Sequence, residues 1–159
     1  MPSNPPENDE AFLREAIAEA RLAELSGEVP VGAIIIREGQ ILARGRNRVI
    51  IDSDPTAHAE IVALRAAGRA LGNYRLEGCD LYTTLEPCAM CAGAILHARI
   101  RRLIYAAPDP KSGACGSALE VLNHPLLNHR VEVARGILAE ESGTILSTFF
   151  RARRAKPSP

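Results

Sequence analysis

The chain has 159 residues, of which 47% are hydrophobic and 24% are charged, and its formal net charge is zero. This composition excludes a disordered chain and suits one globular domain with a single core. No apolar run approaches membrane-spanning length, and the N-terminus lacks the basic start and apolar run of a secretory signal, so a soluble, uncleaved protein is expected.

The apolar pattern predicts nine elements after a disordered tail at residues 1–8. In chain order these are a helix ending near residue 27, a β-hairpin from runs 31–36 and 41–43, a helix from about 57, a strand at 79–85, a helix at 88–97, a strand at 101–107, a short strand near 130–134 and a helix at 138–154. Alternating strands and helices predict a layered α/β domain over residues 9–154, followed by a disordered tail at 155–159.

Charge and cysteine content narrow the possible functions. Seven acids and two arginines lie in residues 1–30, whereas three arginines and a lysine lie in residues 151–156 without an acid. The basic end could meet an anionic polymer, or its cations could simply suit the end of a helix. Four unevenly spaced cysteines are too few for a disulfide framework, which favours metal binding or catalysis in a reducing compartment.

Two short motifs carry the chemistry. His58-Ala59-Glu60 lies at the predicted start of the second helix, and Pro87-Cys88-Ala89-Met90-Cys91 at the start of the third. Two cysteines three residues apart face the same side of a helix, and a helix N-terminus favours the thiolate. One His and two Cys supply the three protein ligands of a catalytic zinc site, which keeps a position open for water. Glu60 is then free to move protons.

Either motif alone is ambiguous. A Cys-x-x-Cys pair also occurs in redox proteins and in structural zinc sites, and a His-x-Glu pair is usually a helix start with polar caps. The two motifs together match a signature already known for the zinc deaminases, which favours a catalytic metal site. Cys79 and Cys115 lie outside both motifs and are predicted to be a strand core residue and loop filling.

From residue 12 to residue 154 the chain resembles the bacterial tRNA-specific adenosine deaminases. The matching segments are Val29–Ala33, Asn47-Arg48, Asp54–Glu60, Asn73–Leu76, Thr84–Gly93, Asp109–Lys111, Asn128–Arg130 and Phe149-Phe150. One position departs from the family pattern, which commonly has Ser-Asp-Phe-Phe where this chain has Ser147-Thr148-Phe149-Phe150. We expect this change to alter a peripheral contact or helix packing and to leave the zinc centre unaffected.

The resemblance implies a three-layer α/β/α cytidine-deaminase-like fold, with a mixed five-stranded sheet flanked by helices. It also implies a homodimer with one Zn²⁺ per subunit, which converts adenosine to inosine at the wobble position of a tRNA anticodon stem-loop. His58, Cys88 and Cys91 would bind zinc, and Glu60 would shuttle protons. The residues implied to bind substrate are Val31, Asn47, Arg48, Ala59, Leu85, Glu86, Asp109, Lys111, Phe150 and Arg153.

These substrate residues have different implied roles. Asn47 would hydrogen-bond the extruded adenine, Val31 would line its pocket, and the Leu85-Glu86 segment would border it. The remaining charged and aromatic residues would contact flanking nucleotides. From the residues alone, Asn47 could instead be a turn residue, Phe150 a core residue, and the side chains at 109 and 111 solvated surface.

We expect a cytoplasmic zinc adenosine deaminase, with two rivals. One is a deaminase of a free base or nucleotide, such as cytidine, deoxycytidylate or guanine, because the zinc chemistry is shared. The other is a non-catalytic zinc-stabilised nucleic-acid binding module, in which Cys79 or Cys115 is a fourth protein ligand that closes the metal.

Overall fold

A five-stranded mixed sheet separates two layers of helices in the computed structural model, which describes residues 6–155. The elements are α1 (Asp9–Leu25), β1 (Gly32–Arg37), β2 (Gln40–Arg46), α2 (Ala59–Leu71), β3 (Cys79–Leu85), α3 (Ala89–Ala98), β4 (Arg102–Ala107), β5 (Glu132–Arg135) and α4 (Ala139–Ala155). The strand order is β2-β1-β3-β4-β5. The first three strands in that order pair antiparallel, and the last three pair parallel. The predicted α/β/α layering and mixed five-stranded sheet are confirmed.

The ends of the chain differ from the prediction in two places. Pro6–Asn8, predicted to be disordered, forms a 3-10 turn before α1, and α4 continues through Ala155. The turn leads into Asp9, which is buried and accepts hydrogen bonds from Tyr82 (2.6 Å) and Arg102 (3.0 Å). These bonds attach the start of α1 to the sheet. The rest of the two predicted tails, residues 1–5 and 156–159, lies outside the described residues. Within residues 6–155, no helix is long and apolar enough to cross a bilayer.

Strand β1 forms the centre of the core because both of its faces are buried, as its apolar sequence predicted. Ile34 and Ile36 pack in one cluster with Leu13 of α1. Ala33 and Ile35 point to the opposite face, where they join a larger cluster that includes residues of α2 and α3. Successive side chains of a strand point to opposite faces, so this one strand anchors helices on both sides of the sheet.

Two glycines of the hairpin bring the helices close to the sheet. A methyl group at Gly32 would overlap the backbone of α1, and a methyl group at Gly45 would overlap the backbone of α2 at Ala59 and Ala63. Neither glycine has a positive φ, so space rather than backbone conformation requires them. Gly45 therefore fixes the depth at which α2, with its N-terminal motif, rests on the sheet.

Replacing Gly45 with Ala is expected to lower the free energy of unfolding by about 1–3 kcal/mol, because the added methyl group has no space. Gly143 offers a matched control, since a methyl group there meets nothing within 4 Å and Ala is the better helix former. Urea denaturation of both variants measures the difference. Equal stability of the two variants would contradict the close packing of α2 on β2.

Candidate active site

The two sequence motifs meet at the starts of α2 and α3. His58 and Cys88 are the residues immediately before these helices and have extended backbones. The prediction that they lie inside the first helical turns is therefore wrong, because α2 begins two residues and α3 one residue later than predicted. The physical reason is that the residue before a helix is already bonded to it through its carbonyl: Val62 donates to His58 O at 3.0 Å, and Ala92 to Cys88 O at 2.8 Å. Neither side chain caps its helix, which leaves both side chains available to the site.

His58, Cys88 and Cys91 form a compact group of metal-ligating atoms. The Nδ1 atom of His58 lies 3.6 Å from the Sγ of Cys88 and 3.5 Å from the Sγ of Cys91, and all three ligand atoms lie within 4.8 Å of one another. Zinc bonds of about 2.3 Å to sulfur and 2.0–2.1 Å to nitrogen, at a tetrahedral angle, separate the two ligand atoms by about 3.6 Å. The two distances from His58 to the cysteines therefore suit a zinc ion.

Electrostatics within this group favour cation binding. Hydrogen bonds from Cys91 and His58 lower the pKa of the Cys88 thiol to about 3. The same contact with Cys88 raises the pKa of His58, and the bond to Cys88 together with burial raises the pKa of Cys91. These shifts favour a thiolate at Cys88, and a cation bound between the sulfurs would favour ionisation of Cys91 as well.

Glu60 lies in the first turn of α2, one residue past Ala59, and only 4% of its surface is exposed. Burial is the largest influence on its carboxyl group and raises its pKa above the ordinary value. An acid whose pKa is raised towards neutrality can accept and return a proton, which is what a general acid-base catalyst needs.

The metal-ligating group borders a cavity of about 350 Å³. The residues that line it are Glu28, Val29, Val31, Asn47, Val49, Ile50, His58, Ala59, Glu60, Leu85, Glu86, Cys88, Asp109 and Ser112. Six of these fourteen residues are aliphatic, and Asn47 brings an amide that no side-chain hydrogen bond engages within the described chain. Such a pocket suits a flat heterocycle with a few polar edges.

Six of the ten predicted substrate residues line this cavity, namely Val31, Asn47, Ala59, Leu85, Glu86 and Asp109. The other four do not line it. Arg48 forms a two-bond ion pair with Asp52, in which Nε and Nη2 each lie 3.0 Å from a carboxylate oxygen. Lys111 is exposed in the loop after β4.

The two predicted residues of α4 lie on a mostly exposed stretch of the helix. Phe150 is 41% exposed, so it is not a core residue, and it meets Phe149 edge to face. The guanidinium of Arg153 lies 5.2 Å from the ring centroid of Phe149. The aromatic pair is thus covered on one side by a cation.

Five lining residues were missed by the sequence reasoning: Glu28, Val29, Val49, Ile50 and Ser112. Of these five, only Val49 and Ile50 could have been identified from the sequence, because they form an apolar pair inside a polar loop. Glu28 is fully buried and accepts hydrogen bonds from the backbone N–H groups of Ile50 (3.0 Å) and Ile51 (2.9 Å). It therefore holds the loop that follows Asn47 against the cavity.

Cys79 and Cys115 take no part in the metal-ligating group of the described residues. Cys79 is fully buried and belongs to the large core cluster, as predicted. Cys115 is also buried in this cluster, with its thiol 3.9 Å from the carbonyl of Pro87. Within residues 6–155 the group thus contains three protein ligands, the number of a catalytic zinc site, rather than the four of a structural one.

Comparisons with known proteins agree with this site. Residues 6–107 match the family model of the cytidine and deoxycytidylate deaminase zinc-binding region. A tRNA-specific adenosine deaminase of Haemophilus influenzae is 51% identical over 93% of this chain and 86% of its own length. The protein of the same name from Bacillus subtilis is 46% identical over 93% and 92%. A structure from work on A-to-I editing by tRNA:A34 deaminases superposes with a TM-score of 0.83, at 48% identity, and covers 86% of this chain and 99% of the other.

A zinc-binding group beside a buried acid, on a sheet of this topology, defines the class of zinc-dependent deaminases, and the predicted zinc cofactor and cytidine-deaminase-like fold are confirmed. These sequence identities are well above the level at which two proteins share only a fold, so they establish membership of the family. The chain belongs to the cytidine and deoxycytidylate deaminase family and, within it, to the tRNA-specific adenosine deaminases.

Proposed function

We propose that the protein converts adenosine to inosine at the wobble position of a tRNA anticodon loop. The observation that carries this proposal is the 46–51% identity, over 93% of the chain, to proteins named tRNA-specific adenosine deaminases. The reaction adds water to the amino-bearing carbon of adenine, breaks the bond from that carbon to the amino nitrogen, and releases ammonia. The cavity supplies a metal-ligating group, a buried acid and an amide for this chemistry.

His58, Cys88 and Cys91 would hold the zinc ion, which when bound would supply a water activated for attack at neutral pH. Glu60 takes a proton from the attacking water. It passes this proton to the adenine ring nitrogen beside the reacting carbon. It then takes the second proton from the new hydroxyl group and passes it to the departing amino group, so that neutral ammonia leaves and a carbonyl remains. Because Glu60 is buried, its carboxyl group exchanges protons with the substrate rather than with bulk solvent.

Asn47 and the aliphatic walls recognise the base. The Asn47 amide can donate to a ring nitrogen and accept from an N–H group, while Val31 and Leu85 pack against the faces of the ring. Ala59 contributes a small side chain beside the metal-ligating group, which leaves space for the reacting carbon. A base enters only after it leaves its stack, and an unpaired loop base does so more cheaply than a paired one.

Four residues outside the cavity contact the flanking nucleotides in this proposal: Arg48, Lys111, Phe150 and Arg153. Asp52 orients the guanidinium of Arg48 and engages only part of it, which leaves N–H groups for a phosphate. An exposed aromatic ring such as Phe150 can stack on a neighbouring base. Asp109 at the cavity edge can accept a hydrogen bond from a ribose 2′-hydroxyl.

The experiment that tests the proposal is to sequence a substrate tRNA before and after incubation with the zinc-loaded enzyme. Adenosine at the wobble position is expected to be read as guanosine after incubation, because inosine pairs as guanosine does. Adenosines elsewhere in the same tRNA serve as internal controls. An unchanged wobble position would contradict the proposal.

Deamination of a free base is the second candidate, and one comparison favours it. The structure of a guanine deaminase from Nitrosomonas europaea superposes with a TM-score of 0.76, at 26% identity, and covers 94% of this chain and 86% of the other. Ammonia release from guanine or cytidine, but not from an anticodon stem-loop, would establish that candidate instead. The higher identity to tRNA-specific enzymes supports tRNA.

We also propose a cytoplasmic homodimer. Support for association comes from exposed apolar side chains beside α3, among them Tyr74, which is 70% exposed, and Leu127, which is 37% exposed. Such a surface is costly to leave in water. Sedimentation equilibrium is expected to give a mass near twice the 17.1 kDa of one chain, and a mass of one chain would contradict the dimer.

A further inference from the structure

Glu86 is a buried acid at the edge of the active-site cavity, and only 2% of its surface is exposed. The four hydrogen bonds that its carboxylate accepts within the described chain all come from one segment, which we call the rim loop (residues 108–117). Oε1 accepts from the N–H of Asp109 at 3.0 Å and from the hydroxyl of Ser117. Oε2 accepts from the N–H groups of Cys115 at 3.0 Å and Ser117 at 3.1 Å. Each carboxylate oxygen therefore accepts two hydrogen bonds from the protein itself, which indicates a structural role rather than ligand binding.

The rim loop is shaped to fit this carboxylate. A methyl group at Gly113 would overlap the carboxyl carbon of Glu86 and the carbonyl of Asp109, and Gly113 has no positive φ. Space beside Glu86 is thus the reason for the glycine. The N–H of Gly113 donates to Asp109 O at 2.8 Å, so the loop closes tightly around the acid.

The rim loop also places side chains at the cavity. Asp109 and Ser112 both line it. Oδ1 of Asp109 accepts hydrogen bonds from the N–H groups of Lys111 and Ser112, each at 3.1 Å, which fixes the aspartate on its own turn. The position of this turn depends in part on the bond from the Asp109 N–H to Glu86.

We infer that Glu86 is a positioning residue. It holds the rim loop in the position in which Asp109 and its neighbours bind the nucleotides that flank the reacting base, and it does not itself touch the substrate. This inference rests on the proposed function, because it needs a polynucleotide that extends beyond the cavity. It replaces the direct substrate contact that the sequence suggested for Glu86. It also separates Glu86 from Glu60, whose side chain faces the reacting centre.

The two oxygens make Glu86→Gln an informative change. A glutamine must place its NH₂ group where one oxygen was, and NH₂ cannot accept from an N–H group. If the NH₂ group takes the place of Oε2, the hydrogen bonds from the backbone N–H groups of Cys115 and Ser117 are both lost. If it takes the place of Oε1, only the bond from the Asp109 N–H is lost, and the NH₂ group can still donate to the Ser117 hydroxyl. The favoured arrangement therefore releases Asp109, the residue at the cavity edge.

Steady-state kinetics with a zinc-loaded enzyme and an anticodon stem-loop test the inference. For Glu86→Gln we expect KM to rise about tenfold, with kcat changed less than about threefold and the zinc content unchanged, since a buried donor loses its acceptor. Gly113→Ala is expected to give the same pattern, because its methyl group displaces the same carboxylate. Ser117→Ala removes a single hydroxyl donor and is the milder variant, and Gly143→Ala is the control.

A double variant separates positioning from general destabilisation. If Glu86 acts through Asp109, then Glu86→Gln should add little to the KM of Asp109→Ala, whereas independent effects multiply. A KM equal to that of the unaltered enzyme, a loss confined to kcat, or multiplied effects in the double variant would each overturn the inference.

Hydrogen exchange distinguishes failure of this inference from failure of the proposed function. In Glu86→Gln, the amide of Asp109 should exchange faster than in the unaltered protein, whereas the amides of Cys115 and Ser117 keep their acceptor and should change less. An unchanged rate at Asp109 would overturn the inference. This measurement needs no turnover. If the unaltered enzyme forms no inosine, the proposed function fails, and the exchange rates still decide whether Glu86 holds the rim loop.

Discussion

Glu60→Gln is expected to reduce the rate of inosine formation by at least about 100-fold, with zinc still bound. Glutamine keeps the size and most of the hydrogen-bonding capacity of the side chain but cannot take up and release a proton at neutral pH. Glu60 lines the cavity beside His58 and Cys88, and burial raises its pKa above the ordinary value. Single-turnover deamination of an anticodon stem-loop measures the rate, and metal analysis measures the zinc.

The matched control is Glu24→Gln, which makes the same chemical change on the exposed surface of α1. Its rate is expected to equal that of the unaltered enzyme. A Glu60→Gln variant with an unimpaired rate would show that another group moves the protons. A variant that loses both activity and zinc would instead show that Glu60 supports the metal site rather than the reaction.

The sequence located the reacting groups because they belong to short segments with local causes. His58 and Glu60 sit on either side of a helix start, and Cys88 and Cys91 do the same at the next helix, so local spacing alone determines which way these side chains face. The exact helix starts were wrong by one position or more, because the residue that precedes a helix already bonds to it through its carbonyl.

The cavity walls were harder to predict because they depend on contacts distant in sequence. Glu28 holds Ile50 from 22 residues away, and Glu86 holds Ser117 from 31 residues away. Nothing in the local pattern of either acid distinguishes it from a solvated surface residue. The segments at 47–56 and 108–117 fall between the predicted elements, but their attachment to buried carboxylates emerges only once the sheet brings them together.

Arg48 shows a similar limit. Its likeness to a family position suggested a contact with RNA, whereas in the fold its guanidinium is already paired with Asp52. The predicted contact is compatible with this pair and is not established by it. On sequence grounds Phe150 could be either a core residue or a surface residue, and its exposure in the fold excludes the core.

Substituting either Cys88 or His58 with Ala is expected to abolish stoichiometric zinc binding and reduce deamination to background. The two ligands come from the starts of different helices, and a site with two remaining donors cannot complete the three-ligand set of a catalytic zinc. Metal analysis after dialysis against a weak chelator measures occupancy. Full occupancy in both variants would show that the ligand set is wrong.

Cys115→Ala is the control that decides between catalysis and a purely structural metal. Its thiol is buried and lies close to Pro87, yet it is not part of the metal-ligating group of the described residues, so the variant should keep its zinc and its activity. A structural zinc module would instead need a fourth protein donor, and Cys79 and Cys115 were the sequence candidates for it. X-ray absorption of the unaltered protein is expected to show two sulfurs, one nitrogen and one further light donor. Loss of zinc from Cys115→Ala, or a third sulfur in the spectrum, would favour the closed structural site, because a metal with four protein ligands has no position left at which water can react.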